Sequence, residues 1–385
     1  MRVAIVHPWF LVNGGAEQTV NVLASMYPQA DFFTAFYREQ ELPSNLRGRS
    51  INTLSWNWLP AKQQLFRYLL PFYPLAFEAL DLRKYDLILS SDSCVTKCIL
   101  TDQHSVHICY CHSPMRCLWD LHKEFRASMP SLVRPMFTIA SHYVRQCDYA
   151  AAQRVDKFVA NSKNVAERIQ KFYRRESIVV YPPVDTHKGY IDSKTEDYYL
   201  SVGRLVATKR IDLVIAACNK LGRKLVIVGS GREEKHLKAM AGPTIDFVGK
   251  VSEERLGQLY ARCRAFLFAA NEDFGIVSVE AQSFGRPVIA LGCGGALETV
   301  IGENSQGSPA TGVYFQEQTV DSLQRAIVAF ESLEERFDPI VAQKNARKFD
   351  TQHFVSGMRR LVGEAIGRSS FATRTWPTAI RIAGD

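Results

Sequence analysis

A chain of 385 residues exceeds one ordinary compact core, and at roughly 100 to 200 residues per domain it predicts two domains. With 46% hydrophobic and 22% charged residues it has a globular composition, and no stretch approaches the ~20 uncharged apolar residues that a bilayer-spanning helix needs. The formal charge of +8 is uneven, at +5 over residues 1–185, 0 over 186–350 and +3 over 351–385, which suits an anionic membrane surface, nucleic acid or a phosphate-bearing substrate without choosing among them.

The N-terminus, MRVAIVHPWF, enters an apolar strand directly, without the charged and apolar tandem of a secretory leader, so a cytoplasmic protein is expected. RVAIVHP, DFFTAF, YDLILSSD, VHICYCH, KFVANS and SIVVYPPV predict strands, and segments such as AEQTVNVLASMY and NVAERIQKFY between them carry apolar residues near a 3.6 period. After the first strand, HPWFLVNGGAEQTV places Gly14 and Gly15 before a helix. The third glycine of a G-x-G-x-x-G dinucleotide fingerprint is missing, and a plain turn explains the pair as well as phosphate binding does.

Further along, LSWNWLPAKQQLFRYLLPFYPLAF mixes Trp56, Trp58, Phe66 and Tyr68 with Lys62 and Arg67, which suits either a membrane interface or a core-packing helix. Nine cysteines at irregular spacing imply reduced thiols. Cys94, Cys98, His104, His107, Cys109, Cys111, His112 and Cys117 crowd together but lack zinc-knuckle spacing, and Cys109 and Cys111 read as thiols on one face of a buried strand. CHSPMR ends that strand and leaves His112 facing the expected cleft, either as a site residue or as a structural histidine.

Pro182 and Pro183 stiffen a crossing, after which the pattern restarts with strands YYLSVGRL, KLVIVGSG, IDFVGKV, AFLFAA, PVIAL and GVYF. The expectation is α/β architecture with an N-terminal Rossmann-like domain over 1–185 and a C-terminal one over 186–350. Residues 351–385 are then a helix packing back on the first domain and a loose tail from about Gly367. A shared cleft at the carboxyl ends of the strands is the default site.

AFLFAANEDFGIVSVEAQSFG predicts strand, loop and helix, with the helix starting near Phe274 to Ile276. Its first N–H groups suit an anion, Glu280 one turn inside suits ribose hydroxyls, and Glu272 in the loop suits sugar hydroxyls. Simple complementarity to the helix dipole competes with that assignment. SVGRLVATKR offers Arg204 and Lys209 as cations for a diphosphate or as ordinary surface charges. GCGGALETV supplies Gly292, Gly294 and Gly295 for close backbone approach and Glu298 in a first helical turn.

In this order and spacing, the Gly-Gly turn, CHSP, YPPVD, VGRL followed by Lys209, FVGKV, the Glu-x7-Glu stretch and GGALE resemble the retaining glycosyltransferases of family 4 over essentially the whole chain. The resemblance implies a GT-B fold of two Rossmann-like domains facing a central cleft. It implies that Arg204 and Lys209 hold the donor diphosphate, that Lys250 and Val251 contact the base, and that Glu280 binds the ribose. Glu272 and the backbone of Phe274, Gly275 and Ile276 would hold the transferred sugar, with Gly15 near the phosphate and His112 beside the reacting sugar. No metal or other cofactor is implied beyond the nucleotide-sugar donor.

LPFYPLAFEALDLRKYDLILSSDS and CHSPMRCLWD look most like bacterial α-mannosyltransferases of O-antigen and exopolysaccharide assembly. These imply GDP-mannose as donor and a polyprenyl-diphosphate-linked glycan as acceptor, for example cellobiosyl-diphospho-polyprenol. They also imply peripheral contact with an anionic membrane through the N-terminal domain. Asp92 and Cys94 stand near the point where relatives carry a serine-rich stretch, which is a departure on the acceptor side. A UDP-sugar donor is the alternative within the family. Other classes are an epimerase of the same architecture and a non-catalytic sugar-nucleotide-binding protein. A nucleic-acid partner is not expected, because no basic, aromatic-interleaved motif occurs.

Overall fold

The computed structural model describes residues 1–54, 68–303 and 309–368. Trp56, Trp58, Lys62, Phe66 and Arg67 of the candidate membrane element, and the tail beyond 368, lie outside the described residues.

In the first half, β1 (Val3–Phe10), β2 (Asp31–Tyr37), β3 (Ile51–Thr53), β4 (Leu87–Asp92), β5 (Val106–Cys111), β6 (Lys157–Ala160) and β7 (Ser177–Val179) form an all-parallel sheet in the order β3-β2-β1-β4-β5-β6-β7. Helices cover both faces, so the central strands β4 and β5 are buried at every residue, whereas edge strands β3 and β7 are only partly buried. Cys109 and Cys111 of β5 pack in one apolar cluster with Val165, Ile169 and Tyr173.

In the second half, β8 (Tyr199–Val202), β9 (Leu225–Val228), β10 (Ile245–Gly249), β11 (Phe266–Phe268), β12 (Val288–Leu291) and β13 (Gly312–Phe315) form a second parallel sheet, ordered β10-β9-β8-β11-β12-β13. In each sheet the strand order reverses beside its first strand, at β1/β4 and at β8/β11. Such switch points open a crevice at the carboxyl ends of the strands, and that is where the loops of interest lie.

The chain passes between the sheets twice, and the two passages pair with each other. Val184 N–H donates to the Phe349 carbonyl at 3.2 Å, and Thr351 N–H donates to the Val184 carbonyl at 3.1 Å. Thr186 Oγ1 donates to Asp350 Oδ2 at 2.6 Å. The Thr351–Arg368 helix then places Phe354, Met358, Leu361, Val362 and Ala365, spaced along one helical face, in the same cluster as Val20, Leu23 and Ile108 of the N-terminal half.

Candidate active site

Both switch points open on a single cleft of about 1750 Å³. Gly14, Gly15, His112 and Arg116 line it from one side, and Arg204, Lys209, Glu272 and Glu280 from the other.

On the N-terminal side, the turn after β1 starts the Gly15–Met26 helix, and Gly14 N–H donates to Glu17 Oε2 at 2.9 Å. A Cβ on Gly15 would lie 2.6 Å from Ile276 Cδ1, so this turn sits directly against the first helical residue of the opposite wall. His112 follows β5, and its Nε2 is 2.8 Å from Ser91 Oγ on β4. Burial foremost, then the nearby His7 ring, depresses the His112 imidazole to about 4, so it is neutral at pH 7.

On the opposite wall, β11 leads through residues 269–275 into the Ile276–Ser283 helix, within the start expected from sequence. Gly275, the N-cap, has φ +89°, and a Cβ there would press on the Phe268 ring at 3.0 Å, so glycine is required twice over. Phe274 is buried against Tyr181 and Phe349 of the interdomain passages, with centroids 5.5 and 5.4 Å away. Gly275, Ile276 and Val277, which begin this helix, line the cleft wall, and Ser278 N–H returns to the Gly275 carbonyl at 3.0 Å.

Lys209 and Glu272 form an ion pair across the mouth of the β8 and β11 loops, and Arg204 stands exposed on the same wall. The glycine-rich stretch supports this loop: Gly295 N–H donates to the Glu272 carbonyl at 2.9 Å, and a Cβ on Gly295 would collide with the Phe274 backbone. Glu280 accepts a hydrogen bond from the Tyr260 hydroxyl at 3.0 Å, and Tyr260 is stacked on Phe284. Burial raises the Glu280 carboxyl above its ordinary value, against the opposing pull of that hydrogen bond.

Two predicted residues stand apart. Lys250 is exposed just past β10, the edge strand of its sheet, and Val251 is partly buried against the core cluster that contains Leu259, Tyr260 and Phe284; neither is among the residues that line the cleft. The following helix, Glu253–Arg262, contributes Glu253, Glu254 and Gly257 to the cleft wall instead.

Sequence reasoning missed a set of contacts that join the walls. Arg116 Nη1 donates to the Asn271 carbonyl at 2.9 Å, and Arg168 pairs with Asp273 while reaching Ser113 Oγ at 3.2 Å. Glu298, expected only as a first-turn acid, accepts the N–H groups of Lys163 and Asn164 at 2.8 and 2.9 Å, capping a helix of the other half. The loop carrying Glu272 is thereby held from both halves. Only distance in sequence hid the pairs that join Arg116, Arg168 and Glu298 to the opposite half, since each of those spans more than a hundred residues.

Among the described residues, no group of three His, Cys, Asp or Glu side chains could hold a metal ion, and no helix is long and apolar enough to cross a membrane.

Comparison with known proteins places this geometry. Residues 13–188 match the family model described as Glycosyltransferase Family 4, and residues 185–349 match Glycosyl transferases group 1. Over 141 residues the chain is 33% identical to a GDP-mannose-dependent monoacylated alpha-(1-6)-phosphatidylinositol monomannoside mannosyltransferase of Corynebacterium glutamicum, covering 32% of this chain and 35% of that one. Over 377 residues it is 24% identical to the alpha-1,3/1,6-mannosyltransferase of Kluyveromyces lactis, covering 80% and 72%. Relatives are generally matched over less of their length, 52% in the Candida glabrata counterpart. Among solved structures, Anabaena HepE in complex with UDP superposes with a TM-score of 0.67 at 18% identity, covering 96% of this chain and all of that one. Residues 13–188 are therefore a glycosyltransferase family 4 domain and residues 185–349 a glycosyl transferases group 1 domain, carried on two parallel-sheet, Rossmann-like halves around a cleft in the GT-B fold.

Proposed function

We propose that the enzyme is a retaining α-mannosyltransferase that moves mannose from GDP-mannose to a polyprenyl-diphosphate-linked glycan in bacterial exopolysaccharide or O-antigen synthesis. The carrying observation is the convergence in one cleft of Arg204, Lys209 and the start of the Ile276–Ser283 helix, opposite His112. In this reading the two cations and the helix N-terminus hold the donor diphosphate and stabilise the negative charge that develops as the sugar leaves. Glu280 takes the ribose hydroxyls, and Glu272, oriented by Lys209, takes the sugar hydroxyls. Acceptor attack on the face from which the diphosphate departs retains the anomeric configuration. In this reading the donor binds the half over residues 186–350 and the acceptor the half over residues 1–185.

The mannose assignment is supported by the names of the corynebacterial and yeast relatives. The UDP complex of HepE supports the second reading, a family 4 transferase with a UDP-sugar donor. Thermal shift with GDP, GDP-mannose, UDP and UDP-glucose separates them, since a ligand at ~100 times its Kd stabilises the folded state by about 2.7 kcal/mol. Stabilisation by the guanosine ligands alone is expected. A uridine-only response overturns the mannose assignment, and nucleotide binding without turnover on any lipid-linked acceptor points to a binding protein.

We place the enzyme at the cytoplasmic face of the membrane, docked through its N-terminal half. Leu132, Met136 and Ile139 are 91%, 68% and 73% exposed at helical spacing ahead of Tyr143. Four cations and a single acid occupy residues 121–147, and Phe125 of that stretch also lines the cleft. An apolar stripe flanked by cations suits an anionic lipid surface. Replacing Leu132, Met136 and Ile139 together by serine is expected to cut sedimentation with phosphatidylglycerol vesicles at least tenfold and leave nucleotide binding intact. Partition equal to wild type removes this face from membrane contact.

A further inference from the structure

The residues behind His112 form a continuous polar chain across three neighbouring strands. His7 lies on β1, Ser91 on β4 and His112 just past β5, with Val6 level with Ser90 and Ser91 level with Tyr110 in the sheet register. Ser91 Oγ sits between the rings, 3.1 Å from His7 Nδ1 and 2.8 Å from His112 Nε2. The other nitrogen of His7, Nε2, has no hydrogen-bond partner, but it faces Glu17 Oε1 at 3.6 Å. Glu17 and His7 are both buried, and the second Glu17 oxygen accepts the Gly14 N–H. The chain therefore begins at the glycine turn of the cleft and ends at the cleft histidine.

The direction of each bond follows from the first. Burial opposes the Glu17 charge, but the carboxyl, which takes the Gly14 N–H on Oε2, lies below its ordinary value, so Glu17 is a carboxylate and accepts only. A single proton on the His7 ring then belongs on Nε2, facing Glu17 Oε1, which leaves His7 Nδ1 a lone pair. Ser91 must then give its one hydroxyl proton to His7 and accept with its oxygen. That oxygen in turn takes N–H from His112 Nε2, so His112 Nδ1 is left as a lone pair. Among the described residues, no protein group bonds to that nitrogen. The remaining charge near this line is Asp92, whose carboxylate is already engaged by the Cys94 and Lys97 N–H groups.

We propose that Glu17, through His7 and Ser91, fixes the tautomer of His112 so that its Nδ1 is a hydrogen-bond acceptor toward the cleft, taking a hydroxyl of the bound sugar. The sugar partner rests on the transferase reading above; the tautomer does not. Glu17, His7 and Ser91 are positioning residues: an ion-facing imidazole passes its orientation to a second one through a single hydroxyl.

Glu17→Gln tests this with almost no change of shape. The glutamine oxygen can keep the Gly14 N–H while its amide donates to His7 Nε2, which reverses every bond and makes His112 Nδ1 a donor. Nitrogen-15 NMR of the imidazoles reads the result directly, with the His112 signals assigned from His112→Gln. Wild type is expected to carry the His112 proton on Nε2 and Glu17→Gln on Nδ1. The wrong tautomer is expected to lower kcat by about 10- to 100-fold, with the donor KM within about threefold. Ser91→Ala, which cuts the chain, should fall as far as Glu17→Gln, and Ser91→Thr, which keeps a hydroxyl, should recover most of the rate. The same His112 tautomer in wild type and Glu17→Gln, or a wild-type proton on Nδ1, overturns the proposal, as does full kcat in Ser91→Ala. Absence of sugar transfer by the wild type would instead remove the transferase reading and leave the tautomer result standing.

Discussion

Lys209→Ala is expected to lower kcat/KM by about 100- to 1000-fold without unfolding the protein, the range lost when one preorganised charge-stabilising donor is removed. Lys209 ends the short turn Ala207–Lys209 after β8 and is only partly buried, so the core does not depend on it. Its ammonium pairs with Glu272, which has two consequences. Under the proposed function, removal takes a cation from the diphosphate, and it frees Glu272 from its ion pair with Lys209, the contact that would orient it toward the sugar. Lys209→Arg should recover part of the loss, since a guanidinium keeps the charge but not its position. Steady-state rates together with affinities for a nucleoside diphosphate and the matching monophosphate check this. Loss of diphosphate affinity with monophosphate affinity retained is the expected pattern; wild-type rates in Lys209→Ala would remove Lys209 from the site.

The second large effect concerns stability. Lys97→Met is expected to cost roughly 3–5 kcal/mol, the range for breaking a buried pair from one side. Lys97 is fully buried with Asp92 and Asp148, its ammonium paired with Asp148 and 3.4 Å from Asp92 Oδ1. Burial works against this ammonium, but the Asp148 and Asp92 carboxylates outweigh it and hold its pKa well above the ordinary lysine value. Tyr173 and Trp119 both donate to Asp148 Oδ2 at 2.8 Å, and Lys97 lies 5.1 Å over the Tyr173 ring. Burial already pushes the Asp148 carboxyl up in the intact protein. Without Lys97, two carboxylates share an apolar site, and the folded state takes up protons that the unfolded chain binds only at lower pH. More protons bound in the folded state means stability rises as pH falls, so the deficit should shrink from pH 7 to pH 5. Urea unfolding at the two pH values measures it. A deficit under 1 kcal/mol at pH 7 would show that the triad contributes little, and adding Asp148→Asn to Lys97→Met should restore part of the loss.

Asp92 and Cys94 illustrate how a sequence departure acquires meaning only in three dimensions. In the chain, the resemblance to the family suggests them only as a departure on the acceptor side. In the fold, the Asp92 side chain accepts the N–H groups of Cys94 and Lys97 and turns inward to the buried triad, while its neighbour Ser91 reaches His112.

The apolar runs and glycine turns were legible by themselves. Strands buried on both faces, such as LILSSD and VHICYC, need near-continuous small or apolar residues, so their pattern stands out without context. Strand β3, INT, did not: an edge strand of three residues, the outer two half-buried and the middle one exposed, carries too little periodicity. Nor did the 21-residue Arg134–Arg154 helix, whose Met136 and Ile139 are exposed while Val144 and Ala151 are buried, so its apolar residues trace no single stripe. Glu272, Glu280, Arg204, Lys209 and His112 could be placed because each follows a strand near a switch point, where local order in the chain fixes position in the fold.

What remained invisible depends on contacts between distant segments. That Lys250 and Val251 stand past the edge strand β10 could not be read from FVGKV, because sheet order is set by how helices pack across the sheet. The partners of Glu298, Arg168 and Arg116, the burial of Lys97, and the line from Glu17 to His112 arise only once separate strands and domains lie side by side. Composition, periodicity and turn residues thus determined the two α/β halves and the loops that line the cleft. Tertiary structure decided which charges meet and which are buried, because electrostatic pairing depends on distance and desolvation, and neither is a property of a residue's neighbours in the chain.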